Sequence, residues 1–397
     1  MRILHTSDWH IGRKLYDYSL INEHEKFLDW LLTCIKDEGI DLLVVAGDIF
    51  DSAVPAGIVT DLYYKFLYRL FSQTNASAII IAGNHDSPTR LGAPKEFLKL
   101  ARIHVLGSLP NNIDECVIKV GTHEEMVCLV ALPYVPEGEL IPHISFEKEI
   151  ETSRRYRKAI KECYQRCINS ISEDLPKILM GHFFLQGGEI GESERVINIG
   201  GTEPVCTGDL PEGLTYGALG HLHRPQIISD TSYPLVYSGS PLPMTFREAL
   251  HDKYVYVLDT NSPLSPKPIK LPKFRELKRV SGTLREILRL CEKGDFMGTL
   301  VEATLIIDEP VIGAADIIRQ AFHEKGASVL SIQARLLDTK DDVEFADFND
   351  LAVRLPDEIF KEFYMTKYDG KLPDSKLLNT FIELLKLVEE RRGEGEA

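Results

Sequence analysis

His5-Thr6-Ser7-Asp8-Trp9-His10-Ile11-Gly12, near the start of a 397-residue chain, ends a short apolar run on two metal-ligand side chains. The same kind of ending recurs at Gly47-Asp48-Ile49-Phe50-Asp51, Gly83-Asn84-His85-Asp86, Gly181-His182 and Gly220-His221-Leu222-His223. One Asp-x-His is a weak signal. Five such endings collect two carboxylates (Asp8, Asp48), one amide oxygen (Asn84) and four imidazoles (His10, His182, His221, His223). Two metal ions held close together, with positions open to a substrate, need about that set.

Working outward from these clusters, the first part of the chain alternates strand and helix. Residues 41–46 and 77–82 are short runs rich in Val, Ile and Leu, the pattern of strands buried on both faces. Residues 23–36 and 58–71 have helical apolar spacing. Further strands are expected at 127–132, 177–180, 215–219 and 235–237, and a helix at 152–172 opens on Thr152 or Ser153 as its cap. This is an α/β (α+β) pattern. Alternation alone would draw an open sheet with the clusters converging at the ends of its strands.

Oxygen and imidazole donors without thiolate suit Mn²⁺, Fe²⁺ or Zn²⁺ and disfavour Ca²⁺. Two divalent ions bring four positive charges against two negative ones from Asp8 and Asp48. The excess draws in a phosphodiester and eases ionisation of water. Asn84, being neutral, preserves that excess. A bridging carboxylate is needed, and Asp48, the first acid of Gly-Asp-x-x-Asp, is the choice. His85 is read as a catalytic group over the phosphate, a cationic stabiliser or the acid for the leaving oxygen. Asp51 is expected to orient it. The other histidines (5, 24, 104, 123, 143, 251 and 323) are left to plain structural roles.

Composition narrows the classes. The formal net charge is -15, with 44% hydrophobic residues. That charge argues against a surface coated in cations for general nucleic-acid binding. Arg13, Lys14, Arg90 and Arg224 nevertheless follow the ligand loops and together suit an anionic substrate. Seven cysteines (34, 116, 128, 163, 167, 206 and 291) form no Cys-x-x-Cys pair and read as reduced, mostly buried thiols. Cys163 and Cys167 fall on the apolar stripe of their helix. No stretch reaches the roughly 18 to 20 apolar residues of a membrane span. Because the first strand leads straight into Asp8, a cytoplasmic chain without a signal peptide is expected.

Four prolines over 261–272 read as a boundary, which sets a first domain at 1–270. A compact α+β domain follows at 274–338, with strands 274–280, 299–307 and 328–336 and helices 282–293 and 313–325. It carries no ligand cluster, so its work is substrate shape or partner contact. An acidic stretch at 338–350 leads to two helices within 345–397, the first at 356–364. The second, capped by Asp374, has a broad apolar face of Leu377, Leu378, Phe381, Leu384, Leu385 and Val388. That face either docks on the same chain or grips another protein.

The five motifs, in this order, resemble the calcineurin-like metallophosphoesterases, whose fold is a β-sandwich flanked by helices. The resemblance replaces the open sheet with that sandwich. More narrowly, the Trp9-containing opening, Gly47 to Asp51 and Tyr237-Ser238-Gly239-Ser240-Pro241 resemble the SbcD family of bacterial nuclease subunits, and the later domains match it too. The resemblance implies one ion held by Asp8, His10, Asp48 and His223, and another by Asp48, Asn84, His182 and His221, with His85 facing the phosphate. It implies Mn²⁺-dependent exonuclease action on double-stranded DNA ends and endonuclease action on single strands or hairpins. It further implies a homodimer joined to an SbcC-type ATPase with a long coiled coil. In that assembly the 274–338 domain caps the DNA and the terminal helices bind the partner.

Two rivals differ in class. A small-substrate metallophosphatase or phosphodiesterase would use the same ions and His85, but it has no evident need for the domains after residue 270. A non-enzymatic scaffold docking an ATPase on DNA predicts missing ligands, and none of the seven is missing.

Overall fold

The computed structural model describes residues 1–121, 125–140, 152–191, 204–228, 231–262, 265–307 and 313–336. It also describes 360–361, 364–365, 367–368, 371–374, 377–378 and 380–381. The acidic stretch 338–350 and most of the two C-terminal helices expected from the sequence lie outside the described residues. Asp374 is seen in its expected capping role, its carboxylate accepting from the Leu377 amide at 2.8 Å. Chain contacts divide the protein into two units, Met1–Glu276 and Leu277–Ala397.

Two six-stranded sheets build the first unit. One runs in the order Lys267–Lys270, Tyr254–Asp259, Arg2–Thr6, Leu42–Ala46, Ser77–Ile81, Ile103–Leu106. The other runs Gln226–Ile228, Leu235–Tyr237, Tyr216–Gly220, Lys177–His182, Met126–Ala131, Val117–Gly121. In the first sheet the four strands from Arg2–Thr6 to Ile103–Leu106 are mutually parallel. In the second, the four from Leu235–Tyr237 to Met126–Ala131 are parallel as well. The proline-rich boundary expected at 261–272 supplies Lys267–Lys270, the outermost strand of the first sheet. Pro268 is tolerated there because an edge strand has amides with no ladder partner to lose.

The sheets face each other across a shared core. Ile3, Leu42, Val44, Ile79 and Ile81 from one meet Val127, Leu129, Ile178, Met180, Ala218 and Val236 from the other. Their neighbours point the opposite way. Leu4, Leu43, Val45 and Ile80 pack under the helices Ile21–Asp37 and Gly57–Gln73. Val130, Leu179, Leu219 and Leu235 share a core with Ile160, Cys163, Tyr164 and Cys167 of the helix Thr152–Asn169. A strand covered on both faces has no polar side to alternate with, which is why 42–46 and 77–81 read as unbroken apolar runs. The architecture is the helix-flanked sandwich, and Cys163 and Cys167 are buried, free thiols of its core.

The second unit holds three parallel strands, Leu277–Gly282, Leu300–Ile307 and Ser328–Leu336, in sequence order. The helices Leu284–Lys293 and Ala314–Glu324 connect them. Ile287, Cys291, Ile318 and Phe322 pack on Val280, Val301, Ala303, Leu305 and Ile332. The first strand starts three residues later than its apolar pattern suggests. Phe274 belongs to the first unit, where its ring meets Phe27 edge-on at 6.2 Å.

Candidate metal centre

Each ligand cluster leaves the C-terminal end of a parallel strand: three from the first sheet, two from the second. Asp8 follows Arg2–Thr6, Asp48 follows Leu42–Ala46, and Asn84 follows Ser77–Ile81. His182 is the last residue of its strand, and His221 directly follows Tyr216–Gly220. Because the parallel strands of each sheet point the same way, side chains far apart in sequence meet at one edge.

The loops are bent sharply to do this. Asp8 (φ 52°), His10 (φ 45°), Asp48 (φ 51°) and His221 (φ 103°) all have left-handed backbones, which residues with side chains seldom adopt without compensation. Between Asp8 and His10, Trp9 supplies an anchor. Its ring is fully buried against Phe27 and Phe66 at 5.8 and 5.5 Å. Its indole N–H donates to Thr6 Oγ1 at 3.0 Å, and its carbonyl lies 3.0 Å from His24 Nε2. With Trp9 turned into the core, its two neighbours face the site. The preceding glycines are just as constrained. A Cβ at Gly47 (φ 88°) would strike the His182 ring, and one at Gly83 would strike the Asp48 carboxylate and amide.

Asp48 stands at the centre. Its Oδ2 lies 3.5 Å from His10 Nε2 and 3.4 Å from His182 Nε2, while Oδ1 accepts the His85 amide at 2.8 Å. On one side, His10 Nε2 and His223 Nε2 are 3.1 Å apart, and both rings form a compact donor group with Asp8. On the other, Asn84 Oδ1 lies 2.9 Å from His182 Nε2 and 3.2 Å from His221 Nδ1. Asp8 is held by the His221 amide at 2.9 Å and the Ser7 hydroxyl at 2.5 Å. Ser7 in turn meets Ser238 Oγ at 2.8 Å.

The remaining ring nitrogens show that these donors fit cations. His182 Nδ1 donates to the Ala46 carbonyl at 2.8 Å, which leaves a lone pair on Nε2. His10 Nδ1 faces the Asp51 carboxylate at 3.4 Å, and His223 Nδ1 faces Glu248 at 3.7 Å. Their Nε2 lone pairs therefore oppose each other, an arrangement that a cation between them relieves. Two donors on one ion, each about 2.0 to 2.2 Å from it, stand roughly 3 to 3.5 Å apart, which is the spacing found. All seven sequence-derived ligands thus come together, and they divide about Asp48 into Asp8, His10, Asp48, His223 and Asp48, Asn84, His182, His221.

Electrostatics agree with that division. Burial opposes ionisation of Asp48, but His182, His10 and His85 overcome it and hold the carboxyl far below its ordinary range. Burial would lower His182, yet Asp48 prevails and raises it to about 9. His221 is lowered to about 3 by burial and by His182, so its ring is neutral and ready to ligate.

Asp8, Asp48, His10, His182, His221 and His223 are buried, whereas Asn84, His85 and Asp51 are partly exposed and form the open side. Asp51 orients His85 by a different group than its carboxylate. The Asp51 main-chain carbonyl accepts from His85 Nδ1 at 3.1 Å. The side chain instead faces His10 Nδ1 and Arg13, whose guanidinium is 3.2 Å away. Arg224, also expected to favour an anionic substrate, pairs with Glu189.

Sequence reasoning assigned no role to Asp86, Glu248 or Lys253. Asp86 is buried and accepts three main-chain N–H bonds, from Gly83 (2.8 Å), Phe50 (2.9 Å) and Ile49 (3.1 Å), which tie the Asp48 loop to the Asn84 loop. Its place in Gly83-Asn84-His85-Asp86 was the available signal. Nothing local marks Glu248 or Lys253.

A two-sheet sandwich with paired donor sets at one edge defines a metal-dependent phosphoesterase. The family model described as calcineurin-like phosphoesterase matches residues 1–225, and that of the type 5 capsule protein repressor C-terminal domain matches residues 273–368. The SbcD component of the SbcCD nuclease from Bacillus subtilis (strain 168) is 31% identical over 98% of this chain and 99% of its own length. Its counterpart from Escherichia coli (strain K12) is 32% identical over 74% of each chain. Among solved structures, a dimetal phosphatase from Danio rerio aligns at 10% identity and a TM-score of 0.41, over 68% of this chain and 99% of that one. The chain belongs to the calcineurin-like phosphoesterases and, within them, to the SbcD family.

Proposed function

We propose that the chain is the nuclease subunit of a DNA end-processing complex. It would cut double-stranded ends as an exonuclease and single strands or hairpins as an endonuclease, in repair, recombination and replication. The observation that carries this reading is Asp48 Oδ2 standing between His10 and His182, with His85 beside it on the open side. One ion would be held by Asp8, His10, Asp48 and His223, the other by Asp48, Asn84, His182 and His221. Mn²⁺ suits this oxygen and nitrogen set, as do Fe²⁺ and Zn²⁺. When bound, the two cations supply the positive charge that polarises a phosphodiester and eases ionisation of a water.

The chain's own groups do the rest. His85 Nδ1 is committed to the Asp51 carbonyl, so Nε2 serves the phosphate, as a cation or as the acid that protonates the leaving oxygen. The Asp51 carboxylate fixes the His10 ring so that Nε2 faces the ion.

DNA as substrate, rather than a small phosphoester, is supported by the 98% coverage of the match to the Bacillus relative, which reaches well past residue 276. The names of the relatives support an SbcC-type ATPase as partner, with the 274–338 domain bordering the DNA and 345–397 gripping the coiled coil. A homodimer is supported by apolar side chains exposed on the helix Gly57–Gln73, Ile58 at 65% and Tyr68 at 69%. No described helix is long and apolar enough to cross a membrane. A cytoplasmic location suits a DNA substrate.

The test is Mn²⁺-dependent cleavage of an end-labelled DNA hairpin by the purified chain, alone and with its ATPase. Cleavage supports the reading. Hydrolysis of mononucleotide phosphoesters with no cut in DNA under either condition would favour the small-substrate phosphoesterase.

A further inference from the structure

Behind the metal centre, the segment after the strand Leu235–Tyr237 buries an ion pair. Glu248 and Lys253 are each 7% exposed, and Lys253 Nζ lies 2.8 Å from Glu248 Oε2. The ammonium also donates to Ser240 Oγ at 2.8 Å and to the main-chain carbonyl of His223 at 3.1 Å. All three of its protons are thereby used. Glu248 Oε2 also accepts the Met244 amide at 3.1 Å, and Oε1 faces His223 Nδ1 at 3.7 Å. The last torsion of a glutamate is soft, so a small rotation of the carboxylate turns that contact into a hydrogen bond.

A buried ion pair is a poor way to stabilise a fold. Desolvating both groups costs about as much as their attraction returns, and apolar residues of similar volume often do better. This pair touches a single donor from two sides: Lys253 holds the main chain of His223, and Glu248 faces its ring. His182, in the other donor set, has only the neutral Ala46 carbonyl behind it.

We propose that Glu248, held by Lys253, is the positioning residue for His223. It keeps the proton on Nδ1, turns Nε2 toward His10, and makes that nitrogen a stronger donor to the ion shared with Asp8 and His10. The inference rests on the two-ion reading of the site. Losing such a partner behind a ligating histidine weakens metal binding about 10- to 100-fold. Only the set containing His223 is affected.

The experiment titrates Mn²⁺ into the metal-stripped full chain by calorimetry, with electron paramagnetic resonance following the exchange-coupled pair. The variants are Glu248→Gln and the doubly neutral Glu248→Gln/Lys253→Gln, which leaves no unpaired buried charge. Thermal unfolding of the metal-free proteins establishes that the double variant is folded. The result expected is two ions in the wild type. In the double variant one ion binds with unchanged affinity and the other 10- to 100-fold more weakly, and the coupled signal gives way to that of isolated Mn²⁺ at equal loading. A double variant that binds both ions as the wild type does overturns the role of Glu248 alone. A wild type that takes up no pair of ions overturns the metal reading as well.

Discussion

The main-chain amide of His85 donates to Oδ1 of Asp48 at 2.8 Å, so one carboxylate both anchors the catalytic loop and keeps its other oxygen between two donor sets. The candidate acid for the leaving group is thus registered directly against the bridging ligand. A shift of the Asp48 loop would move His85 with it.

Replacing Asp48 with Asn removes the anionic bridge while retaining an acceptor for the His85 amide. Binding of the Mn²⁺ pair should be lost, and hydrolysis of a chromogenic phosphodiester should fall by about 10²–10³ or more. Complex formation with the ATPase, measured by co-elution, should be unchanged. Activity that survives this substitution would show the metal assignment to be wrong.

His85→Ala separates chemistry from metal binding. Among the described contacts its ring bonds only the Asp51 carbonyl, so two Mn²⁺ should still bind. Hairpin cleavage should drop by about 10²–10⁴, the usual contribution of a general acid. Calorimetry beside single-turnover cleavage reads both quantities. Loss of metal together with activity would make His85 a ligand instead.

Asp86→Ala leaves the amides of Ile49, Phe50 and Gly83 without their buried acceptor. Each orphaned donor costs about 1–3 kcal/mol, so unfolding stability should fall by about 3 kcal/mol or more. Urea denaturation of the metal-free chain measures it. A change under about 1 kcal/mol would mean that the two loops are tied elsewhere.

His5 makes stability depend on pH. Buried between the sheets, with Nδ1 2.9 Å from the Tyr216 hydroxyl, it has its pKa lowered by burial to about 3. The unfolded chain takes up that proton near pH ~6.5 and the folded chain does not. This contribution is therefore fully present above about pH 6.5. As the pH falls it is lost by up to about 1.4 kcal/mol per unit, levelling off near 3. Urea midpoints of the metal-stripped wild type and His5→Asn, compared between pH 7 and 5, should diverge by that slope. Parallel curves would place the titration on other groups.

The donor list was legible because the chemistry needs particular side chains and the loops need glycines. Asp8, His10, Asp48, Asn84, His182, His221 and His223 each stand beside a strand whose unbroken apolar run marks it as buried on both faces. The sandwich was not legible from alternation, since a strand covered by a helix and a sheet has the same apolar pattern as one covered by two helices. Nor did the prolines of 261–272 distinguish a linker from an edge strand, because both tolerate a missing amide proton.

Sequence by itself determined which atoms can bind metal, which residue stands ready as the acid, and where the small domain's strands and helices fall to within a few residues. Only the tertiary structure decided how those atoms are used. It selected Oδ2 of Asp48 as the bridge, the carbonyl of Asp51 as the partner of His85, and the Glu248–Lys253 pair as the support of His223. His10 and His223 are 213 residues apart in the chain and 3.1 Å apart at the site. Such a distance is set by the packing of one sheet on another. Residue type and spacing record what a side chain can do, but rotamer, tautomer and partner follow from which loop the packing brings beside it.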